Sequence, residues 1–238
     1  MARRALPAVA SDFAAVLSFL KTRGIVPSAP SAAMIEDAKR IHRATYSLIL
    51  WRFRLKQLPE HSKVFIEEIA SDALQILPQA LMGYSKTTKL LTRGIAENVL
   101  RHIYYADHPV EFERMNREQK WFMTMESLFE YAKIHPVFMT KETRFDALAR
   151  LRNLYSDLSA GVHGSKVRDL EMRVALKKIK YEQAAVHAEM LLVERCAESV
   201  NFLIAAFNQD QMDQFSVDDQ RIILRTMPAR ARQVWRGL

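Results

Sequence analysis

Residues that break helices are scarce in this sequence, and their scarcity constrains the fold more than any other feature. The 238 residues include only 6 glycines and 8 prolines. Between these breaks apolar residues recur every three to five positions, as at Ile35, Ala38 and Ile41, and no useful stretch alternates apolar and polar residues as a strand would. The sequence therefore predicts an all-α fold, an irregular helical bundle of about seven helices.

The length suits one domain with small appendages. We expect an N-terminal helix and linker in residues 1–27, a helical bundle in residues 28–215 and a basic helical tail in residues 216–238. Ser31 directly follows the proline-containing linker and is expected to cap a helix that ends near Leu55. Further long helices are expected over about 110–134 and about 167–207.

The net charge of +8 favours a polyanionic partner such as RNA, DNA or an acidic protein. Part of the excess lies in the tail, which from Gln220 onward has no acidic residue. Two interpretations stay open for this tail: a solvated basic helix, or a contact for nucleic acid or a partner protein. Its arginines are Arg221, Arg225, Arg230, Arg232 and Arg236.

Several classes of protein are disfavoured by what the sequence lacks. No apolar stretch approaches the roughly 20 residues of a membrane span, and the N-terminus lacks the pattern of a signal peptide. The single cysteine, Cys196, rules out an internal disulfide. Glycine-rich phosphate loops, nucleophile elbows and paired metal-ligand motifs are missing. We therefore expect a cytoplasmic protein with no membrane association, no cofactor and no metal site.

The segment around Tyr155 is the most informative one. On a helix Arg152, Tyr155, Ser159 and His163 follow steps of three, four and four residues, so they form one polar stripe. Gly164, directly after the histidine, leaves room for another backbone or a polymer to approach. A structural interpretation is also open, in which these side chains form a hydrogen-bond network that fixes the helix to its neighbour.

The motif Y-x2-LS-x2-VHG, preceded by a helix with R-x3-E, resembles a bacterial HEPN-like all-helical family that includes abortive-infection and toxin proteins. Arg93 and Glu97 supply the first element, and residues 155–164 supply the second. The resemblance implies a HEPN-like core and metal-independent RNA cleavage. It implies that His163 transfers protons, that Arg93 holds the phosphate and that Glu97 orients Arg93 or His163, while Tyr155 and Ser159 complete the catalytic pocket.

This chain departs from the catalytic HEPN pattern, in which an arginine precedes the histidine by four to six residues, because His163 has no such arginine. The sequence leaves two functions open: an RNA-acting effector, such as a ribonuclease of phage defence or a toxin system, and a non-catalytic helical adaptor that binds a partner protein or nucleic acid. Expected partners are RNA, a second copy of the chain in a homodimer and a cognate protein. The expected RNA-binding residues are Arg101, His102, Arg152, Lys166 and Arg168.

Overall fold

The computed structural model describes residues 6–141, 145–163, 175 and 178–236, with backbone alone at 140, 141, 161–163 and 234–236. Within these residues all regular structure is helical, which confirms the all-α prediction. Twelve helices are described rather than about seven. They are α1 (Pro7–Thr22), α2 (Ala32–Arg54), α3 (Glu60–Met82), α4 (Ser85–Asp107), α5 (Pro109–Arg117), α6 (Met125–Ile134), α7 (Pro136–Lys141), α8 (Ala147–His163), α9 (Gln183–Phe207), α10 (Gln209–Met212), α11 (Val217–Thr226) and α12 (Ala229–Arg236).

The predicted helix count was wrong because several expected helices are interrupted or followed by short ones. The helix expected over about 110–134 is divided into α5 and α6, and Thr124 starts α6 by accepting a hydrogen bond from the Ser127 backbone N–H at 3.2 Å. Prolines at the N-termini of α5 and α7 begin these helices, since a helix does not need the N–H that proline lacks there. Of the helix expected over about 167–207, the structure describes α9, which begins at Gln183, and the described residues 178–182 lie outside it.

The segment before α9 crosses the α3–α4 turn. Gly83 ends α3 with φ 84°, a left-handed conformation that favours glycine. A Cβ atom at this position would lie 2.2 Å from the Lys180 carbonyl oxygen. The chain therefore passes directly over a glycine, and this close approach explains the choice of residue.

Helix α9 lies at the centre of the bundle, where it packs against α2, α4, α8 and α11. Its buried Asn201 accepts a hydrogen bond from Trp51 Nε1 at 2.8 Å and donates to Ser47 Oγ at 2.8 Å and Thr226 Oγ1 at 2.9 Å. One side chain thus joins α2, α9 and α11 inside the apolar core, where each polar group needs a partner.

The N-terminal helix and the C-terminal segment share the core of the bundle. Asp12 of α1 lies 2.7 Å from the buried His42 of α2, and Ser31 caps α2 as predicted by accepting from Met34 N–H at 3.1 Å. In the C-terminal segment Ile222 and Ile223 are buried and belong to the same apolar cluster as the bundle. The basic tail is therefore amphipathic, with one face packed on the domain.

Candidate functional site

The relative direction of the helices determines which motif residues meet. Helix α9 runs parallel to α4 and antiparallel to α8, so α4 and α8 are antiparallel to each other. Near the start of both helices Ser85 of α4 contacts Glu189 of α9, and near their ends His102 of α4 contacts Asn208, the C-cap of α9. In contrast, Arg150 near the start of α8 pairs with Glu198 of α9, and Asp157 further along α8 lies 3.9 Å from the earlier Arg195.

The two sequence motifs, about sixty residues apart, meet at Tyr155. The Arg93 Nη2 atom donates to the Tyr155 hydroxyl at 2.9 Å, and this hydroxyl donates to Glu97 Oε1 at 3.3 Å. The guanidinium carbon of Arg93 lies 5.1 Å from the centre of the tyrosine ring, within the range of a cation–π contact. Arg93 Nε is 3.0 Å from Glu97 Oε1, one helical turn away. The geometry thus matches a role of Glu97 in orienting Arg93.

Arg101 extends this arrangement towards solvent. Its Nη2 atom lies 3.2 Å from Glu97 Oε2, and its Nη1 atom donates to Asn98 Oδ1 at 3.0 Å. The Arg101 side chain is 36% exposed, compared with 19% for Arg93 and 17% for Glu97. Arg101 is therefore the cation of this group that a ligand reaches most easily.

A carboxyl group that the sequence did not indicate lies beside these residues. Asp72 of α3 is 9% exposed, and its Oδ2 atom would be 2.4 Å from a Cβ on Gly94, so the missing side chain of Gly94 makes room for it. Burial, reinforced by the charges of Glu68 and Glu97, raises the pKa of Asp72 to about 7. Below we call Asp72, Arg93, Glu97, Arg101 and Tyr155 the polar cluster.

Replacing Asp72 by asparagine is expected to stabilise the protein at high pH. The pKa of the folded carboxyl is raised from 3.8 to about 7, so the folded state binds more protons than the unfolded state between these values and its stability falls as pH rises through this window. We expect Asp72→Asn to raise the free energy of unfolding by only about 1–2 kcal/mol at pH 8, because solvent screens part of the carboxylate charge, and to have little effect at pH 4.

Urea denaturation at both pH values measures this difference. The control is Asp157→Asn, at an exposed position of α8. Equal effects of Asp72→Asn at pH 4 and pH 8 would contradict a raised pKa.

The remaining residues of the predicted stripe lie further along α8. Ser159 Oγ is buried without a hydrogen-bond partner among the described residues. His163 ends α8, and its side chain lies outside the described part of the chain. Its backbone is eight residues beyond Tyr155, about 12 Å along the axis towards the start of α4. This register places it level with Ser85 rather than Glu97.

Ser85 and Glu189 form a second buried polar contact at the level of His163. The Ser85 hydroxyl donates to the Glu189 carboxylate, which is 3% exposed. Neither residue was predicted to belong to a site, because sequence periodicity does not show which turns of two distant helices lie side by side.

The three predicted RNA-binding residues that the structure describes have different surroundings. Arg101 belongs to the polar cluster, while Arg152 pairs with Glu126 and with Glu130 at 3.3 Å. Lys166 and Arg168 lie outside the described residues. His102 is fully buried, and burial lowers its pKa to about 4. Its position does not fit the predicted contact with RNA, because periodicity alone did not show which side of α4 faces the core.

Other chemistry finds little support in the described residues. No group of three histidine, cysteine, aspartate or glutamate side chains lies together there to hold a metal ion. Burial raises the pKa of the Cys196 thiol to about 12, so this thiol does not provide a thiolate nucleophile at neutral pH. Among the helices described, none has the length and apolar character to cross a membrane.

Comparison with protein-family models, curated proteins and solved structures finds no significant match to this chain. The HEPN-like resemblance therefore stays a prediction based on the two motifs. The geometry of the polar cluster is the basis for a functional proposal.

Proposed function

We propose that the protein is a HEPN-like effector that cleaves RNA without a metal ion, with the polar cluster as its reaction site. The proposal is supported chiefly by one observation: Arg93, Glu97 and Tyr155, from two distant sequence elements, form one hydrogen-bonded group. The perturbed carboxyl of Asp72 beside them adds support, because such groups concentrate at functional sites. A role in phage defence or a toxin system, and a homodimeric state, belong to the same proposal.

Cleavage of RNA requires two groups that transfer protons and a cation that faces the phosphate, and the polar cluster contains one of these proton-transfer groups and the cation. One group takes the proton of the 2′-hydroxyl as its oxygen bonds to phosphorus, and another gives a proton to the 5′-oxygen as its bond to phosphorus breaks. With a pKa near 7, Asp72 is present in both protonation states at neutral pH and suits one of these steps. The other proton transfer is assigned to His163, as the resemblance implies. Arg101 is exposed enough to stabilise the charge on the phosphate oxygens.

A second candidate function, a non-catalytic helical adaptor, is favoured by the charge balance of the cluster. Arg93 and Arg101 both bind Glu97, and the carboxyl groups of Glu68 and Asp72 lie nearby. The cluster is therefore not strongly basic, and its contacts also suit a link that fixes α8 on α4.

Incubation of the purified protein with total bacterial RNA and tRNA in EDTA tests the proposal. We expect cleavage by the wild type and a decrease of about 100-fold or more in Asp72→Asn, Arg101→Gln and His163→Ala. The exposed Asp157→Asn is the control and should cut normally. Asp72→Asn is expected to be at least as stable as the wild type, so its loss of activity would not reflect unfolding. Folded wild-type protein that cuts no RNA would favour the adaptor.

A further inference from the structure

A cleft on another side of α9 carries a concentration of arginines. It encloses about 220 Å³ between α2, α9 and the C-terminal segment. We call it the arginine cleft, and its charged lining residues are Arg40, Arg43, Glu194, Glu198, Arg225 and Arg232. Four cations and two carboxylates give this group a formal charge of 4 − 2 = +2.

The two glutamates hold arginines at the cleft and still leave an excess of positive charge. Glu194 binds Arg40 through two atoms, with Arg40 Nε at 3.0 Å, and it also accepts from Arg43 Nη2 at 3.2 Å. Glu198 accepts from Arg150 Nη2 at 3.3 Å, so a fifth arginine lies at the edge. Burial of Glu198 raises the pKa of this carboxyl, and the like charge of Glu194 acts in the same direction.

We propose that the arginine cleft binds the phosphodiester backbone of single-stranded RNA. A guanidinium group carries five N–H donors in a planar fork that matches phosphate oxygens, and Arg43 uses only one of its donors on Glu194. The cations come from α2, α11 and α12, so the folded domain brings together charges that are far apart in sequence. The choice of RNA among polyanions rests on the proposed function.

The arginine cleft also supplies the excess of positive charge that the polar cluster lacks. The cluster has about as many carboxyl groups as cations, whereas the cleft has an excess of cations. A chain of phosphates held at the cleft would gain affinity there, since each neutralised phosphate releases counterions. Binding and reaction would then depend on different residues, which mutation can separate.

Fluorescence anisotropy with a fluorescein-labelled, uridine-rich single-stranded RNA tests the proposal. We expect Arg43→Gln/Arg225→Gln to weaken binding by about tenfold. The slope of the logarithm of the association constant against the logarithm of the salt concentration should become less steep by about 0.7 for each lost phosphate contact. The control is Arg114→Gln/Arg117→Gln, which removes the same charge from exposed positions of α5. It should change the affinity by less than about threefold.

Glu194→Gln provides a test in the opposite direction. Removing this negative charge should strengthen RNA binding by about threefold, because Arg40 and Arg43 gain donors for phosphate. If the cleft were only a structural ion-pair network, this substitution would lower thermal stability without raising the affinity. Thermal melts accompany each variant, and Arg225→Gln alone replaces the double variant if that one fails to fold.

The outcomes separate this proposal from the proposed reaction. RNA that binds at the cleft but is never cut would overturn the reaction at the polar cluster and leave the cleft supported. Equal loss of binding in the cleft and control variants would reject the cleft, as would an absence of RNA binding by the wild type. Competition by polyglutamate as strong as by unlabelled RNA would also reject it in favour of an acidic protein ligand.

Discussion

Replacing Asn201 by leucine is expected to lower the free energy of unfolding by about 3 kcal/mol. Leucine has nearly the shape of asparagine, so packing changes little, but the buried Trp51 Nε1–H loses the acceptor that it contacts at 2.8 Å. Ser47 and Thr226 keep their bonds to backbone carbonyls and lose only the donor from Asn201. The unpaired indole N–H therefore causes most of the loss.

Urea denaturation of Asn201→Leu measures this effect, with the exposed Asn116→Leu as its control. The double variant Trp51→Phe/Asn201→Leu removes both partners, and we expect it to lose less than the sum of the two single changes. A loss below about 1 kcal/mol in Asn201→Leu would show that the buried network contributes little to stability.

Acidification is expected to destabilise the protein through His102. Its Nδ1 lies 3.0 Å from the Ser62 carbonyl oxygen, which only accepts, so Nδ1 carries the proton and Nε2 accepts from Asn208 at 3.1 Å. Protonation at Nε2 would bury a charge opposite a donor. Burial lowers the pKa of His102 from 6.5 to about 4, so the unfolded state binds more protons than the folded state between these values. The free energy of unfolding should therefore be highest above pH 6.5 and fall by about 3 kcal/mol as the pH falls to 4.

Asp72 opposes this loss over nearly the same pH range. Its raised pKa makes the folded state more stable as pH falls from 7 to 4, so the wild type should lose only about 1–2 kcal/mol in total. Asp72→Asn should reveal the full loss of about 3 kcal/mol, and His102→Gln should remove most of it. The half-exposed His61→Gln serves as the control. If the free energy of unfolding depended equally on pH in the wild type and in Asp72→Asn, the opposing effects of Asp72 and His102 would be contradicted.

The sequence predicted local features of this fold better than its long-range register. The Ser31 cap and the helix that follows it depend on neighbouring residues, and both agree with the structure. The break between α5 and α6 contains neither glycine nor proline, so no strong signal indicated it. Similarly, Pro136 follows the end of α6 and also begins α7, and this added a helix that was not predicted.

The candidate site shows the same limit. Arg93 and Glu97 are one turn apart on α4, so their pairing follows from sequence. Asp72 comes from α3, and its place depends on the missing side chain of Gly94, which only the packing of α3 on α4 reveals. The level of His163 along α4 depends on antiparallel packing between segments about seventy residues apart. Such relations need the folded structure.

The central position of α9 has a consequence for synthesis on the ribosome. Helices α2, α3 and α4 pack on one another and are complete once residue 107 has been made, whereas α9 begins only at Gln183. Until then the apolar surfaces of α2 and α4 that α9 later covers, including Trp51, stay uncovered on the nascent chain. During this interval the uncovered apolar surfaces of α2 and α4 favour aggregation, and chaperones are expected to bind them.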